Sequence, residues 1–469
     1  MALTLLGGCT MAPRYTRPDA PIPKEWPGGT AYKEIKAGDA PFATELKWRD
    51  FIIDERLQRI IDMALKNNRD LKLAALNVDR ARAYYRIQRA ELLPALDAAG
   101  AGIRERVPAD LSSKNRTGVM KQYSVDLGVF SWEIDFFGRL RSLKDEALEA
   151  YLATEEAHRG AQILLIDSTA SAYLAYAADR ENLKLSEDTL KTQRDTYDLI
   201  KRRYEVGLAS ELDLRRAQTQ VDAARDSVSR YTQIVAQDEN ALNLLIGTKV
   251  PEELLPEGLD SITPPKDVSP GLSSEVLLMR PDIMASEHTL KSVNAFIGAA
   301  RAAFFPSISL TSTIGTASTD LSRLFRSGQD TWNFSPQITT PIFDARVWAS
   351  YEAAKIEREI ALANYEKTIQ TAFKEVADAL AVRGTVDEQL SAQRSLVEAT
   401  SETYRLASVR YTKGIDSYLS VLDAQRSLYS AQQGLVGARL ASLANKITLY
   451  RVLGGGWHGE DNGGMDKRQ

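Results

Sequence analysis

The 469-residue chain contains one cysteine, Cys9, and three histidines, His158, His288 and His458. A single thiol excludes an intrachain disulfide and any CxxC metal site. The histidines stand far apart and belong to no HExxH pattern or local ligand cluster. There is no GxSxG elbow, no GxxxxGK(S/T) phosphate loop and no GxGxxG after a strand. These absences argue against an enzyme, although distant residues could still assemble a site. Charge of one sign is also lacking: Lys and Arg total 59, Asp and Glu 63, for a net −4. A nucleic-acid binder would carry a basic surplus, so no nucleic-acid partner is expected. No run of 18 apolar residues occurs, which excludes a membrane-spanning helix. A spanning β-barrel stays open, because its strands are short and only alternately apolar. With 44% hydrophobic residues the chain is too apolar to be disordered.

Leu6-Gly7-Gly8-Cys9 has the form of a lipoprotein cleavage box, in which the cysteine becomes the acylated first residue. From these four residues alone an incidental free cysteine is an equal reading. Only eight residues precede Cys9, none of them Lys or Arg, so residues 1–9 read as a truncated leader. Residues 10–47, with Pro13, Pro18, Pro21, Pro23, Pro27, Gly28, Gly29 and Pro41, read as an extended strap.

An internal repeat dominates the remainder. RYEVGLASELDLRRAQ at 203–218 aligns with RYTKGIDSYLSVLDAQ at 410–425, with Arg203/Arg410, Tyr204/Tyr411, Gly207/Gly414, Ser210/Ser417, Leu212/Leu419, Ala217/Ala424 and Gln218/Gln425 identical. Upstream, Asp70/Asp282, Ala83/Ala295, Arg89/Arg301, Ala90/Ala302 and Pro94/Pro306 also match. The first repeat spans 48–258 and the second 259–457, leaving a polar tail at 458–469.

Each repeat has one layout. A helical stretch (54–92; 274–303) ends near a proline and is followed by two alternating segments (within 95–136; 307–343). A very long helix (140–206; 345–413) leads to a glycine turn at Gly207 or Gly414 and a further helix (211–246; 417–453). The 67 residues of 140–206 would reach about 100 Å, a length that needs lateral partners. Their Ala- and Ser-rich composition suits a curved wall of packed helices better than a two-stranded seam.

Among the alternating segments, Ile308, Leu310 and Ile314 share one parity, as do Trp332, Phe334, Ile338 and Ile342. Pro336 and Pro341 weaken a central-strand reading there. Val125, Leu127 and Val129 are odd, whereas Phe130, Trp132, Ile134 and Phe136 are even, and this slip predicts a bulge. Residues 95–107 are the weakest strand candidate. Four strands cannot close a barrel around a pore, but three copies supply twelve, an even number suited to an outer membrane.

Several motifs resemble the TolC family of outer-membrane channels, specifically its OprM-like lipoprotein branch. They are Cys9-Thr-Met-Ala-Pro-Arg-Tyr15-Thr-Arg-Pro18; Trp48-Arg-Asp-Phe51 with Ala64-Leu65-Lys-Asn-Asn68-Arg-Asp70-Leu71; Glu133-Ile-Asp135-Phe-Phe-Gly138-Arg139; Arg280-Pro281-Asp282-Ile283 through Ala300-Arg301-Ala302-Ala-Phe304-Phe305-Pro306-Ser307; and Leu453-Gly454-Gly455-Gly456-Trp457. The departures are the short leader, Met279 where an arginine is usual, and the polar tail. The resemblance implies a mainly α fold with a transmembrane β part. A trimeric twelve-stranded outer-membrane β-barrel would continue into a twelve-helix periplasmic α-barrel with a mixed equatorial belt. It further implies a lipid anchor on Cys9 (an N-acyl diglyceride, with no other cofactor) in the outer membrane. The function it implies is passive export of drugs or other small toxic compounds. The partners would be a periplasmic adaptor and an inner-membrane transporter of the resistance-nodulation-division type.

The same resemblance assigns a gate within 410–429. Leu419 matches an apolar constriction, Asp423 an acidic ring, and Arg426 and Tyr411 residues that tie neighbouring helices together; Tyr204 is the repeat mate of Tyr411. Leu419 and Asp423 are four apart and share a helix face. Threefold symmetry would make rings that seal by dewetting and favour cations. Read without the resemblance, Asp423 and Arg426 are an ordinary surface ion pair. Gly207 and Gly414 mark the turns where an adaptor would dock. Alternatives are a duct for type I protein secretion or metal-ion efflux and, from another class, a soluble helical coiled-coil scaffold.

Overall fold

The computed structural model describes residues 10–32, 41–112, 116–271 and 274–455. Stretches without proline and rich in Ala, Leu, Glu and Arg form its two longest helices, of 67 and 68 residues. In chain order the elements are α1 (Trp48–Phe51), α2 (Glu55–Asn67), α3 (Arg69–Ala90), β1 (Asp97–Val107), β2 (Gly118–Glu133), α4 (Arg139–Glu205), α5 (Glu211–Ile246), α6 (Pro281–Ala302), β3 (Ser307–Ser318), β4 (Asp330–Thr339), α7 (Ala345–Thr412) and α8 (Tyr418–Val452). Two compact units result. One holds residues 10–19, Asn77–Glu155 and Ala285–Glu366; the other holds Ala20–Leu76, Glu156–Met284 and 367–455.

In the first unit the strands form one antiparallel sheet in the order β1-β2-β3-β4. The register puts Leu127 opposite Ile314, Ile314 opposite Trp332, and Ile308 opposite Ile338, so these apolar residues share a face. Ser124, Asp126, Thr313 and Asn333 occupy the other. Ile314 is 64% exposed and Thr313 only 7%, so the apolar face is the open one. The parity slip is a bulge: the register shifts between Val129 and Trp132, and Ser131 adopts a left-handed φ of 60°. Beyond it Trp132 pairs with Leu310 and returns to the apolar face. Within one chain β4 is an edge strand, where Pro336 is tolerated.

The weakest strand candidate becomes the 11-residue β1. Its Ala-Gly run carries no alternation, but Tyr123 of β2 lies over Gly102, where an added Cβ would meet the ring at 3.3 Å. A neighbour's aromatic ring supplies the missing side chain.

Residues 10–19 bind along α6. Asn294 Nδ2 donates to the Pro13 carbonyl at 2.8 Å, and Arg301 Nη1 to that of Met11 at 3.3 Å. Glu287 accepts from Tyr15 at 3.2 Å and Lys291 at 3.0 Å, and pairs with Arg17. Burial opposes its ionisation, yet the hydrogen bonds from Arg17 and Lys291 hold its carboxyl below the usual range. Among its described residues the strap is not wholly irregular, since a 3-10 turn forms at Ala43–Glu45.

At the junction from strand to long helix, Asp135 accepts from the backbone N–H groups of Leu140 and Arg141 at 3.1 and 3.0 Å. Arg139 grips Glu133 through two bonds of 2.8 and 2.6 Å. Gly138 takes a φ of 76°, which a larger residue would resist.

In the second unit the stretch expected as one helix from 54 to 92 breaks at Asn68. Its buried side chain accepts from Leu71 N at 2.9 Å and donates to the Leu245 carbonyl at 2.8 Å, capping a new helix. The stretch from 274 likewise opens as a 3-10 turn, Ser274–Met279, before α6 starts at Pro281. Arg280 is buried between Asp282 at 2.7 Å, Glu375 at 2.9 Å and the Val452 carbonyl at 2.8 Å. Phe51 stacks on Tyr450 with centroids 4.0 Å apart.

Candidate functional site

The two glycine turns are built alike. Gly207 N–H donates to the Tyr204 carbonyl at 2.9 Å and Leu208 N–H to that of Arg203 at 2.7 Å. In the second repeat Gly414 donates to Tyr411 at 2.9 Å and Ile415 to Arg410 at 2.9 Å. This is the Schellman arrangement, and it requires the left-handed φ of 79° and 73° that the two glycines adopt. Ser210 then caps α5 by accepting from Asp213 N at 3.1 Å.

The four helix ends pack together. Ile200, Ala217, Tyr418, Val421 and Leu422 form a buried cluster flanked by Tyr197, Leu214, Tyr404 and Tyr411. Tyr411 is half-buried, 5.4 Å from the Tyr418 ring and beneath the Arg203 guanidinium at 5.2 Å. Burial raises the pKa of both phenols. Sequence reasoning missed Arg203 and Tyr418 as members. The available signal was the repeat itself. Arg410 pairs with Asp416 at 2.5 Å, whereas the second turn's Asp416 is replaced in the first by Ala209, and Arg203 lies over Tyr411 instead.

The start of α8 is divided by solvent exposure. Tyr418, Val421, Leu422, Ala424 and Gln425 are buried. Leu419, Asp423 and Arg426 lie on the exposed side at i, i+4 and i+7, and Leu419 is 52% exposed. Asp423 and Arg426 form no ion pair with each other or with any described residue. Tyr204 is exposed and stands outside the cluster. Cys9 lies outside the described residues, as do Gly456, Trp457 and the tail. Among the described residues no group of His, Cys, Asp and Glu is arranged to hold a metal.

The family described as outer membrane efflux protein matches residues 60–248 and 272–455. The chain belongs to that family.

The toluene efflux pump outer membrane protein TtgC of Pseudomonas putida is 52% identical to this outer membrane efflux protein over 456 residues, covering 97% of this chain and 94% of its own. A membrane protein from Pseudomonas aeruginosa, solved by crystallography, superposes with a TM-score of 0.88 at 42% identity, covering 95% of this chain and all of that one. The open state of the Neisseria gonorrhoeae MtrE outer membrane channel gives 0.84 at 37% identity over 96% of this chain and 98% of its own. The TolC-family fold expected from the motifs is therefore the fold of this chain. This efflux protein resides in the outer membrane, with strands in the bilayer and helices extending into the periplasm. The exposed apolar face of the sheet is the one that meets lipid.

Proposed function

We propose that three copies of this chain form the passive exit duct of a tripartite efflux pump, gated at the helix ends around Gly207 and Gly414. Exported compounds are small toxic molecules, as the toluene pump named among its relatives suggests. The observation that carries the reading is the exposed, unpaired stripe of Leu419, Asp423 and Arg426 on a helix whose other faces are buried. Around a threefold axis the leucines form a constriction and the carboxylates a ring selecting cations. Tyr411, held by Tyr418 and Arg203, positions α7 against α8 behind it, and Tyr204 and Arg426 are free to engage a neighbouring copy.

Leu208 and Ile415, mates across the repeat, stay exposed beside the two glycines and offer apolar contacts to a periplasmic adaptor. The adaptor couples the duct to an inner-membrane transporter that supplies the energy. Acylation of Cys9 anchors the strap to outer-membrane lipid. The duct performs no catalysis.

The test is single-channel conductance in planar bilayers. The double variant L419A/D423A is expected to conduct severalfold more than wild type, and D423A alone to lose cation preference. Unchanged conductance and selectivity in both would remove the gate from this stripe.

A further inference from the structure

On the lipid-facing side of the sheet, apolar residues give way to cations toward the hairpin end. Leu127 lies opposite Ala98, Val125 opposite Gly100 and Tyr123 opposite Gly102. The next pair on this face is Arg104 opposite Lys121, and Arg106 follows two residues further along β1. All three cations are exposed, and none makes a hydrogen bond or ion pair with a described residue. Asp320, in the turn after β3, is near enough for the Lys121 charge to act on it, but its hydrogen bonds come from Ser322, whose N–H and hydroxyl donate to it at 3.0 and 2.9 Å.

Like charges directly opposite across a strand pair repel each other. Cations on the lipid face of a barrel are tolerated only near the headgroups. At about 3.4 Å per residue and a tilt near 40°, the outward stretch from Trp132 to Tyr123 rises about 20 Å. Lys121 then sits about 25 Å above Trp132, at the upper rim of an apolar band of about that height. The end of the sheet away from the periplasmic helices is the outer-leaflet side.

We propose that Arg104, Lys121 and Arg106 bind the phosphate of an outer-leaflet lipid, whose acyl chains run down over Tyr123, Val125 and Leu127. An anion between the opposed cations turns repulsion into attraction, and an arginine fork matches phosphate geometry with two parallel N–H donors. The apolar face continuous with the cations favours a lipid over free phosphate. This site is separate from the gate and does not depend on how the duct opens.

The test uses the full-length assembly extracted in mild detergent and native mass spectrometry with three probes: bis-phosphorylated lipid A, the same lipid without phosphates, and inorganic phosphate. Bis-phosphorylated lipid A is expected to be retained at least about tenfold more tightly than the dephosphorylated form, the scale of one or two charge-assisted hydrogen bonds. The variant R104Q/K121Q should lose that difference, whereas K72Q, a charge removed from the periplasmic helix α3, should keep it. Equal retention of the two lipids by wild type, or an unchanged preference in R104Q/K121Q, overturns the site. Displacement of lipid A by millimolar inorganic phosphate overturns the lipid assignment. Should R104Q/K121Q fail to assemble, the comparison of the two lipids on wild type decides alone.

Discussion

Gly298 on α6 has no room for a side chain. A Cβ there would come within 2.5 Å of Ser142 Oγ and 2.6 Å of the Ala12 backbone nitrogen, so this glycine lets the strap lie against the helix. Gly298→Val is expected to cost about 1–3 kcal/mol by overpacking, or to expel the strap instead. Either result is visible as faster tryptic cleavage after Arg14, with unchanged cleavage contradicting the contact. A second residue-scale expectation concerns Asp238, whose pKa is raised to about 6 by burial and by the neighbouring Asp179. The native state thus holds a proton that the unfolded chain releases near 3.8. Stability from this group is full below about pH 4 and is lost as pH rises through about 6. Asp238→Asn should flatten that decline in thermal unfolding curves between pH 4 and 8. An identical pH profile in the variant would place the proton elsewhere. At this scale the shared exposed face of Leu419 and Asp423 was legible, because i, i+4 spacing is local. The roles of Arg203 and Tyr418 were not, because they depend on which rings the packing brings beneath a guanidinium.

At the scale of elements, the helix boundaries follow closely from repeat and periodicity, with α5 at Glu211–Ile246 matching the stretch expected from sequence. Legibility fails where a single polar side chain overrides a continuing pattern. The helical period runs through Asn68, yet its side chain caps a new helix by bonding to Leu71. β1 forms as expected but was the weakest candidate for the opposite reason, since its strand character comes from pairing with β2 and from the Tyr123 ring, neither of which its own residues announce. The bulge in β2 offers a sharp test. Ser131→Gly removes the left-handed strain and should stabilise the assembly by about 1 kcal/mol, while Ser131→Val should destabilise it by more. Heat-induced dissociation on gels reads the order, and equal midpoints for the two would deny the strain. The glycine turns invite a different kind of change. A Cβ on Gly207 or Gly414 meets nothing within 4 Å, so a bulky substituent strains the turn and covers the surface without disturbing the core. Gly414→Trp should therefore abolish efflux in a drug-susceptible strain while leaving the oligomer intact. Normal efflux would remove the adaptor contact proposed at these turns.

For the whole molecule, the open question is how the sheet ends. Four strands leave β1 and β4 as free edges, each with a row of unpaired backbone groups, and such edges in a bilayer have no water to satisfy them. Closure by further copies follows from that requirement, and twelve strands from three chains is the smallest assembly that encloses a pore wider than one filled by side chains. Residue numbers alone do not fix which register joins one copy to the next, because each edge strand's pattern is consistent with shifts of two. Cysteine pairs resolve it, since Cys9 is the chain's only native cysteine. Ala101→Cys combined in turn with Thr331→Cys, Asn333→Cys or Ser335→Cys should give, for one of the three, oxidised species of two and three chains on a non-reducing gel and nothing larger. A ladder beyond three would mean an open or larger ring. Protein that stays single in all three combinations, while sedimenting from the outer membrane at the mass of one chain, would leave the edges unclosed and remove the pore from the account.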